Sequence, residues 1–327
     1  MQEILEQTPS QQDFRAPRFS IGLDRVDADD IARRLTGFLA WAASFLVPII
    51  ALVLLLRAWP ILSAKPLKAN LLGTSWQPYR GIFGFLPFIV GTMWVTILAM
   101  IITVPPSLLT AIHLAEYTPS RARALIKPLI DLLAGIPSVV YGVWGVLVLV
   151  PLVEHTVIPF CSVHLRWIPF LNSENPTGFG VLSGGLVLAV MVFPIIISVS
   201  EEVIHVVPQG LREASLALGA THWQTTKHIV LRKALPGVAA AVVLGFSRAF
   251  GETMAVMMVV GNIAQLPQSL FDAAYPLTAL IANNYGEMLS VPMYDSALLA
   301  AALILLVVVL IFNILSRLVL LRLHRYQ

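Results

Sequence analysis

The chain has little charge and almost no cysteine. Only 12% of its residues are Asp, Glu, Lys or Arg, against 57% hydrophobic, and the mean hydropathy is +0.83. That balance excludes an ordinary soluble domain. Cys161 is the only cysteine, so no disulfide can form within the chain and the redox compartment stays undetermined. No Gly-Lys dipeptide occurs, and with it no P-loop to cradle ATP phosphates. His155, Cys161 and His164 share one loop, but at irregular spacing and without a fourth partner, which argues against a metal site. No internal repeat or low-complexity linker is visible, and the stretch from Gly261 to Ser296 contains no Lys or Arg.

What the chain has is apolar length. A helix of ~20 apolar residues spans the hydrocarbon core of a bilayer. Six segments meet that test, at about 37–58, 84–112, 129–153, 178–200, 235–262 and 296–320. Backbone groups in lipid must bond internally, so the expected fold is an all-α polytopic membrane bundle of about six helices. The expected layout is a cytoplasmic tail over 1–36 and one transmembrane domain over 37–327.

Basic loops stay cytoplasmic. Arg15, Arg18, Arg25, Arg33 and Arg34 precede the first span; Arg121, Arg123 and Lys127 lie between the second and third. Arg212, Lys227, Arg232 and Lys233 lie between the fourth and fifth, and Arg317, Arg322 and Arg325 end the chain. Fifteen positives fall on that side against five on the other, Arg57, Lys65, Lys68 and Arg80 among them, which places both termini inside. These loops account for the net charge of +3 without a nucleic-acid partner. The first span follows a polar tail and is longer than a signal-peptide core, so it is expected to be a retained anchor.

Two ions interrupt the apolar run Ala239–Gly261: Arg248 and Glu252. Ionisable residues at membrane depth are costly and mark function or pairing. A spacing of four predicts a pair on one helix face, with the small residues Ala241, Gly245 and Ala255 leaving room beside it for a solute. Arg248 offers a planar fork suited to tetrahedral oxyanions; its alternative role is a brace to Glu252 or to another helix. Ser247, Thr253 and Ser138 flank the pair as further hydroxyls, with a bond to their own helix backbone as the ordinary use of each. Pro105, Pro106 and Pro194 within spans read as kinks. Trp76, Tyr79, Trp167 and Phe170 read as interface aromatics, Met254, Met257 and Met258 as packing, and Glu201 and Glu202 as solvated residues at the end of the fourth span.

The loop 208–237 is the most informative polar segment. Leu211, Ala214 and Leu218 fall on one face of a short helix, Gly219 is a natural stop, and Thr221 with Gln224 has capping-box spacing for a second helix. The result is a helix–turn–helix elbow, either a plain surface connector or a piece that docks in a partner's groove.

The segment Glu213-Ala214-Ser215, Gly219 four residues on, Ile229 and Leu231 resembles the EAA loop of ABC importer permeases. Ser215 stands where a second alanine is usual, and Arg232 where a proline commonly follows the leucine; Pro236 comes four residues later, which leaves the angle of the second helix open. Four further runs, Phe83–Thr92, Ala115–Pro119, Leu133–Gly142 and Phe250–Val256, look like the phosphate importer permeases, and Gly251-Glu-Thr-Met-Ala-Val256 favours their C-type subunit.

The resemblance implies a type I ABC importer permease in a bacterial inner membrane. It implies a transport subunit rather than an enzyme, with no cofactor on this chain and ATP and magnesium held by a partner ATPase dimer. That ATPase would dock on Leu211, Glu213, Ala214, Leu218 and Gly219. A second, A-type permease would complete the pathway in the lipid, and a phosphate-binding protein would load it from outside, where Asp272, Asn283, Asn284, Glu287 and Asp295 offer a docking surface. The resemblance supports substrate contact by Arg248 and Glu252; charge and spacing by themselves suggest that Glu252 neutralises Arg248 when the pathway is empty and accepts a P–OH hydrogen bond when phosphate arrives. The competing readings are a permease for sulfate or molybdate, an ATP-independent ion transporter, and a membrane enzyme, for which no nucleophile–base arrangement is visible at membrane depth.

Overall fold

The computed structural model describes residues 24–64, 66–171, 177–287 and 290–324. Arg15, Arg18, Lys65 and Arg325 of the charge count therefore lie outside the described residues. The chain divides into two units, residues 1–52 and 53–327.

In the first unit the described residues belong to the helix Asp24–Ala64. Its hydroxyls are turned back onto the preceding turn, Thr36 to the Ala32 carbonyl at 2.7 Å and Ser44 to that of Ala40 at 2.8 Å. A hydroxyl satisfied in this way is compatible with an apolar surround.

Among the described residues six helices are long and apolar enough to cross a membrane: Asp30–Ala64, Leu86–Glu116, Ser138–His164, Val181–His205, His222–Gly251 and Tyr294–Leu318. In the second unit the second and fourth of these form the central pair. Gly184 and Gly185 let them approach, since a Cβ on Gly185 would sit 2.8 Å from Leu98. Thr103 donates across to the Ala189 carbonyl at 3.1 Å, and Ser107 reaches that of Phe193. The core around them is Val95, Ala99, Leu188, Val192, Ile196 and residues of the fifth span. At the end of the second unit opposite the 208–237 elbow, a short hairpin pairs Trp76 with Phe83, and Trp76 packs on Phe83, Phe88 and Tyr294.

The third span lies later in the chain than its hydropathy predicts. Residues 120–134 form a separate amphipathic helix without a buried residue, and the span itself runs 138–164. Gly135-Ile136-Pro137 breaks the two, because a residue before proline is pushed out of the helical region and Pro137 is extended (φ −57°, ψ 137°). The apolar run Leu129, Ile130, Leu132, Leu133 conceals this break from a hydropathy window.

Proline also widens helices here. Two π-turns, Gly145–Leu149 and Val153–Val157, each lie two residues before a proline, Pro151 and Pro159. Proline has no N–H to give the carbonyl four residues back, and a wider turn re-satisfies such groups. A third π-turn, Thr226–Val230, has Arg232 in that position. The wide turn forms here without a proline, and the helix runs on through Pro236.

The basic-free stretch after the fifth span is not an open loop. Residues 269–274 run back against the start of the fourth span: Val181 and Leu182 donate to the carbonyls of Asp272 and Leu270, and Gly261 bridges Ala274. The following helix, Leu277–Asn284, buries Leu277, Thr278, Ala279 and Leu280.

Candidate functional site

The fifth span ends at Gly251, between the two charges expected to share it. Glu252 is extended (φ −70°, ψ 130°), and a new short helix starts at Met254 and ends at Val259. The expectation of one continuous helix face is therefore corrected, and no ion pair joins Arg248 to Glu252 among the described residues. The reason lies in the helix ends. Arg248 occupies the last turn of one helix and Glu252 precedes the first turn of the next, so each charge faces the dipole end that favours it. The Glu252 carboxylate accepts from the Ala255 N–H at 3.4 Å. Its main-chain carbonyl, freed by the break, is taken by the Thr278 hydroxyl at 3.0 Å.

Arg248 faces the other break. Its guanidinium donates to the carbonyl of Ala134, the last residue of the helix 120–134, at 3.5 Å. The adjacent carbonyl, Leu133, takes the Tyr141 hydroxyl at 2.8 Å. Carbonyls at a helix C-terminus lack partners within the helix, and a cation there is favoured. The Ala134 bond is long, and Arg248 stays exposed. Ser138, the first residue of the third span, lies on the far side of the same break.

The two breaks are held together by close packing of 138–145 on 254–259. A Cβ on Gly142 would meet Met258 Sδ at 2.6 Å and Ala255 Cα at 3.1 Å. The other expected small residues do not leave a passage. Gly245 is filled by Ile196, 2.6 Å from where its Cβ would be, and Ala241 is fully buried. Ser247 bonds back to Val243 at 2.9 Å and Thr253 to Gly251 at 3.4 Å. A cavity of about 380 Å³ abuts the first break, lined by Tyr141, Leu133, Thr103 and the prolines Pro106 and Pro194. Thr278 and Tyr141 were missed in the sequence because a lone Thr or Tyr in an apolar run carries no spacing signal.

The elbow forms as its caps predict. Its helix is Gln209–Ala217, Gly219 adopts φ +85°, and Thr221 and Gln224 make the reciprocal capping box. Leu211, Glu213, Ala214 and Leu218 are exposed, Leu218 at 90%.

A second charged cluster corrects the reading of Glu201 as a solvated end. Glu201 is 0% exposed and ion-paired with Arg123 and with Lys127, the latter at 3.4 Å, while Glu202 stays outside and meets Lys127 at 3.3 Å. Ser198 donates to Asp131 at 2.6 Å. Together these clamp the helix 120–134 to the fourth span. Burial alone lowers the pKa of Lys127, but the carboxylates of Glu201 and Glu202 outweigh it and hold the ammonium above its ordinary 10.5. The signal was present in the sequence: Arg123, Lys127 and Asp131 are spaced four apart on one face. Asp272, Asn283 and Asn284 also have internal partners, Asp272 capping the turn at Gln268 and Ser269 and both asparagines bonding Tyr275; Glu287 and Asp295 remain exposed.

Six spans, two helix breaks facing each other and an exposed elbow define a membrane permease fold. The family of binding-protein-dependent transport system inner membrane components matches residues 108–325, and the chain belongs to it. It is 41% identical to the phosphate transport system permease protein PstC of Xylella fastidiosa strain 9a5c over 78% of this chain and 79% of that one. Against the protein of the same name from Mesorhizobium japonicum it is 35% identical over 98% and 97%. The fold is also that of a bacterial ABC transporter that imports the acidic polysaccharide alginate, with a TM-score of 0.51 and 19% identity over 90% of this chain and 97% of that one. The chain is a multi-pass inner-membrane transport component.

Proposed function

We propose that this chain is the C-type permease subunit of an ATP-driven importer of inorganic phosphate, with both termini in the cytoplasm. The observation that carries the reading is Arg248: an exposed guanidinium at the junction of two broken helices, in a chain whose relatives include named phosphate permeases. Broken helices at membrane depth are where transporters place their binding groups. The planar fork suits a tetrahedral oxyanion, and the long bond to Ala134 is weak enough for an anion to displace.

Glu252 sits across the second break as a hydrogen-bond acceptor for a protonated phosphate oxygen, which sulfate lacks at neutral pH. Arg248 gives one hydrogen bond to the Ala134 carbonyl, an acceptor without charge, instead of pairing with Glu252. Ser138, Ser247 and Thr253 border the same junction. ATP and magnesium belong to a separate ATPase dimer, which docks on Leu211, Glu213, Ala214, Leu218 and Gly219; this chain itself hydrolyses nothing and carries no cofactor. A second, A-type permease completes the pathway, and a phosphate-binding protein docks on the outer face near Glu287 and Asp295.

The test is uptake of labelled phosphate and sulfate by cells lacking this chain. Wild type restores phosphate uptake and Arg248→Gln does not, although the complex assembles. Equal rescue by Arg248→Gln overturns the substrate contact, and rescue of sulfate uptake alone changes the cargo.

A further inference from the structure

We infer that Arg212 is a positioning residue that locks the elbow to the second and fourth spans, so that these parts move as one body. The inference rests on the elbow being the ATPase dock. The elbow helix Gln209–Ala217 has no buried residue, so no apolar face holds it in place. Its polar ties are the Ser215–Thr225 hydroxyl pair at 2.9 Å and, with far more partners, Arg212.

Arg212, 14% exposed, forks onto Glu116, the last residue of the second span, whose side chain is 3% exposed. Nη2 lies 2.7 Å from Oε1, and Nε lies 3.2 and 3.4 Å from the two carboxylate oxygens. The same guanidinium donates to the Ile204 carbonyl at 3.0 Å, in the last turn of the fourth span, and to that of Val207, two residues past its end. Thr226, from the start of the fifth span, reaches Glu116 at 3.5 Å. The elbow and the second and fourth spans thus meet at one cation, and the fifth span reaches its carboxylate partner. The Glu116 carboxylate supplies a full negative charge, and the Ile204 carbonyl lies in the last turn of the fourth span, where a positive charge is favoured. A lysine supplies one point charge and cannot serve all of them at once.

The mechanical consequence follows from the packing. The second and fourth spans are the central pair, and Ile196 of the fourth fills Gly245, one turn from Arg248. Displacement of the elbow therefore reaches the wall of the candidate site through Arg212. Without that tie, the ATPase moves the elbow while the spans lag behind.

The experiment reads phosphate moved per ATP hydrolysed by the complete complex in liposomes, together with the ATPase that copurifies. For Arg212→Gln the ratio should fall at least about tenfold with ATPase still bound, as for a broken buried charge pair. Arg212→Lys should lie between it and wild type, and Glu116→Gln/Arg212→Gln should be no worse than Arg212→Gln alone, because the two act as a unit. An unchanged ratio in Arg212→Gln, or additive losses in the double variant, overturns the inference. If Arg212→Gln sheds the ATPase, the ratio is read from Arg212→Lys, where an unchanged value overturns it equally. Leu218→Glu, on the exposed side, tests the docking alone: full ATPase copurification there sinks the docking reading, whatever Arg212 does.

Discussion

The guanidinium of Arg248 caps the carbonyl of Ala134, a residue 114 positions earlier in the chain, rather than pairing with Glu252 four positions later. The cation is thereby held at a helix end by a weak bond.

Arg248→Lys separates charge from shape. Lysine keeps the positive charge but loses the planar fork, so phosphate uptake should fall by about tenfold or more, equivalent to roughly 1.4 kcal/mol of lost binding. Initial uptake rates over a range of phosphate concentrations check this, and a variant as active as wild type would reduce Arg248 to a point charge.

Glu252→Gln removes the negative charge that repels a bare oxyanion and replaces one acceptor oxygen with an NH2 that can donate to it. The expected outcome is sulfate uptake or sulfate inhibition that wild type lacks, with phosphate uptake reduced. Competition of labelled phosphate by unlabelled sulfate measures it; identical competition in both proteins would remove the filter.

Gly142→Val tests whether the two breaks must stay in contact. The added side chain meets Met258 and Ala255, and overpacking of this kind costs about 1–3 kcal/mol. Thermal unfolding in detergent should shift down, and uptake should fall further than the amount of folded protein does. A loss of uptake in strict proportion to folded protein would show that the contact serves stability only.

Glu201→Gln leaves Arg123 and Lys127 facing a neutral group in a buried site, at an expected cost of about 3–5 kcal/mol, whereas an exposed pair such as that of Glu202 is worth about 0–1 kcal/mol. Unfolding of Glu201→Gln and Glu202→Gln side by side distinguishes these values. Lys127 sets the pH window. Its folded-state pKa is raised, so its contribution is fully present below the unfolded value near 10.5 and is lost as pH rises through the higher folded value. The contribution of Lys127 should therefore be unchanged between pH 8 and 9, above the ordinary range of the His205 imidazole that contacts Arg123, and melting curves at both ends of that range should agree for this pair.

The six spans, the elbow and its capping box were legible in the sequence because each depends on contiguous residues. Hydropathy sums over one helix, and Thr221 and Gln224 are three positions apart. The same locality explains the errors. A hydropathy window carried the third span across Gly135-Ile136-Pro137, and helical spacing carried Arg248 and Glu252 onto one face, because neither weighs what packs alongside. The tertiary structure decided the partner of Arg248, the burial of Glu201, the contact of Thr278 with the broken helix and the convergence on Arg212. Each joins groups far apart in the chain whose polar needs are met only when helix ends meet. Composition and periodicity specify which segments enter the membrane; only packing shows which unsatisfied helix ends the buried charges serve.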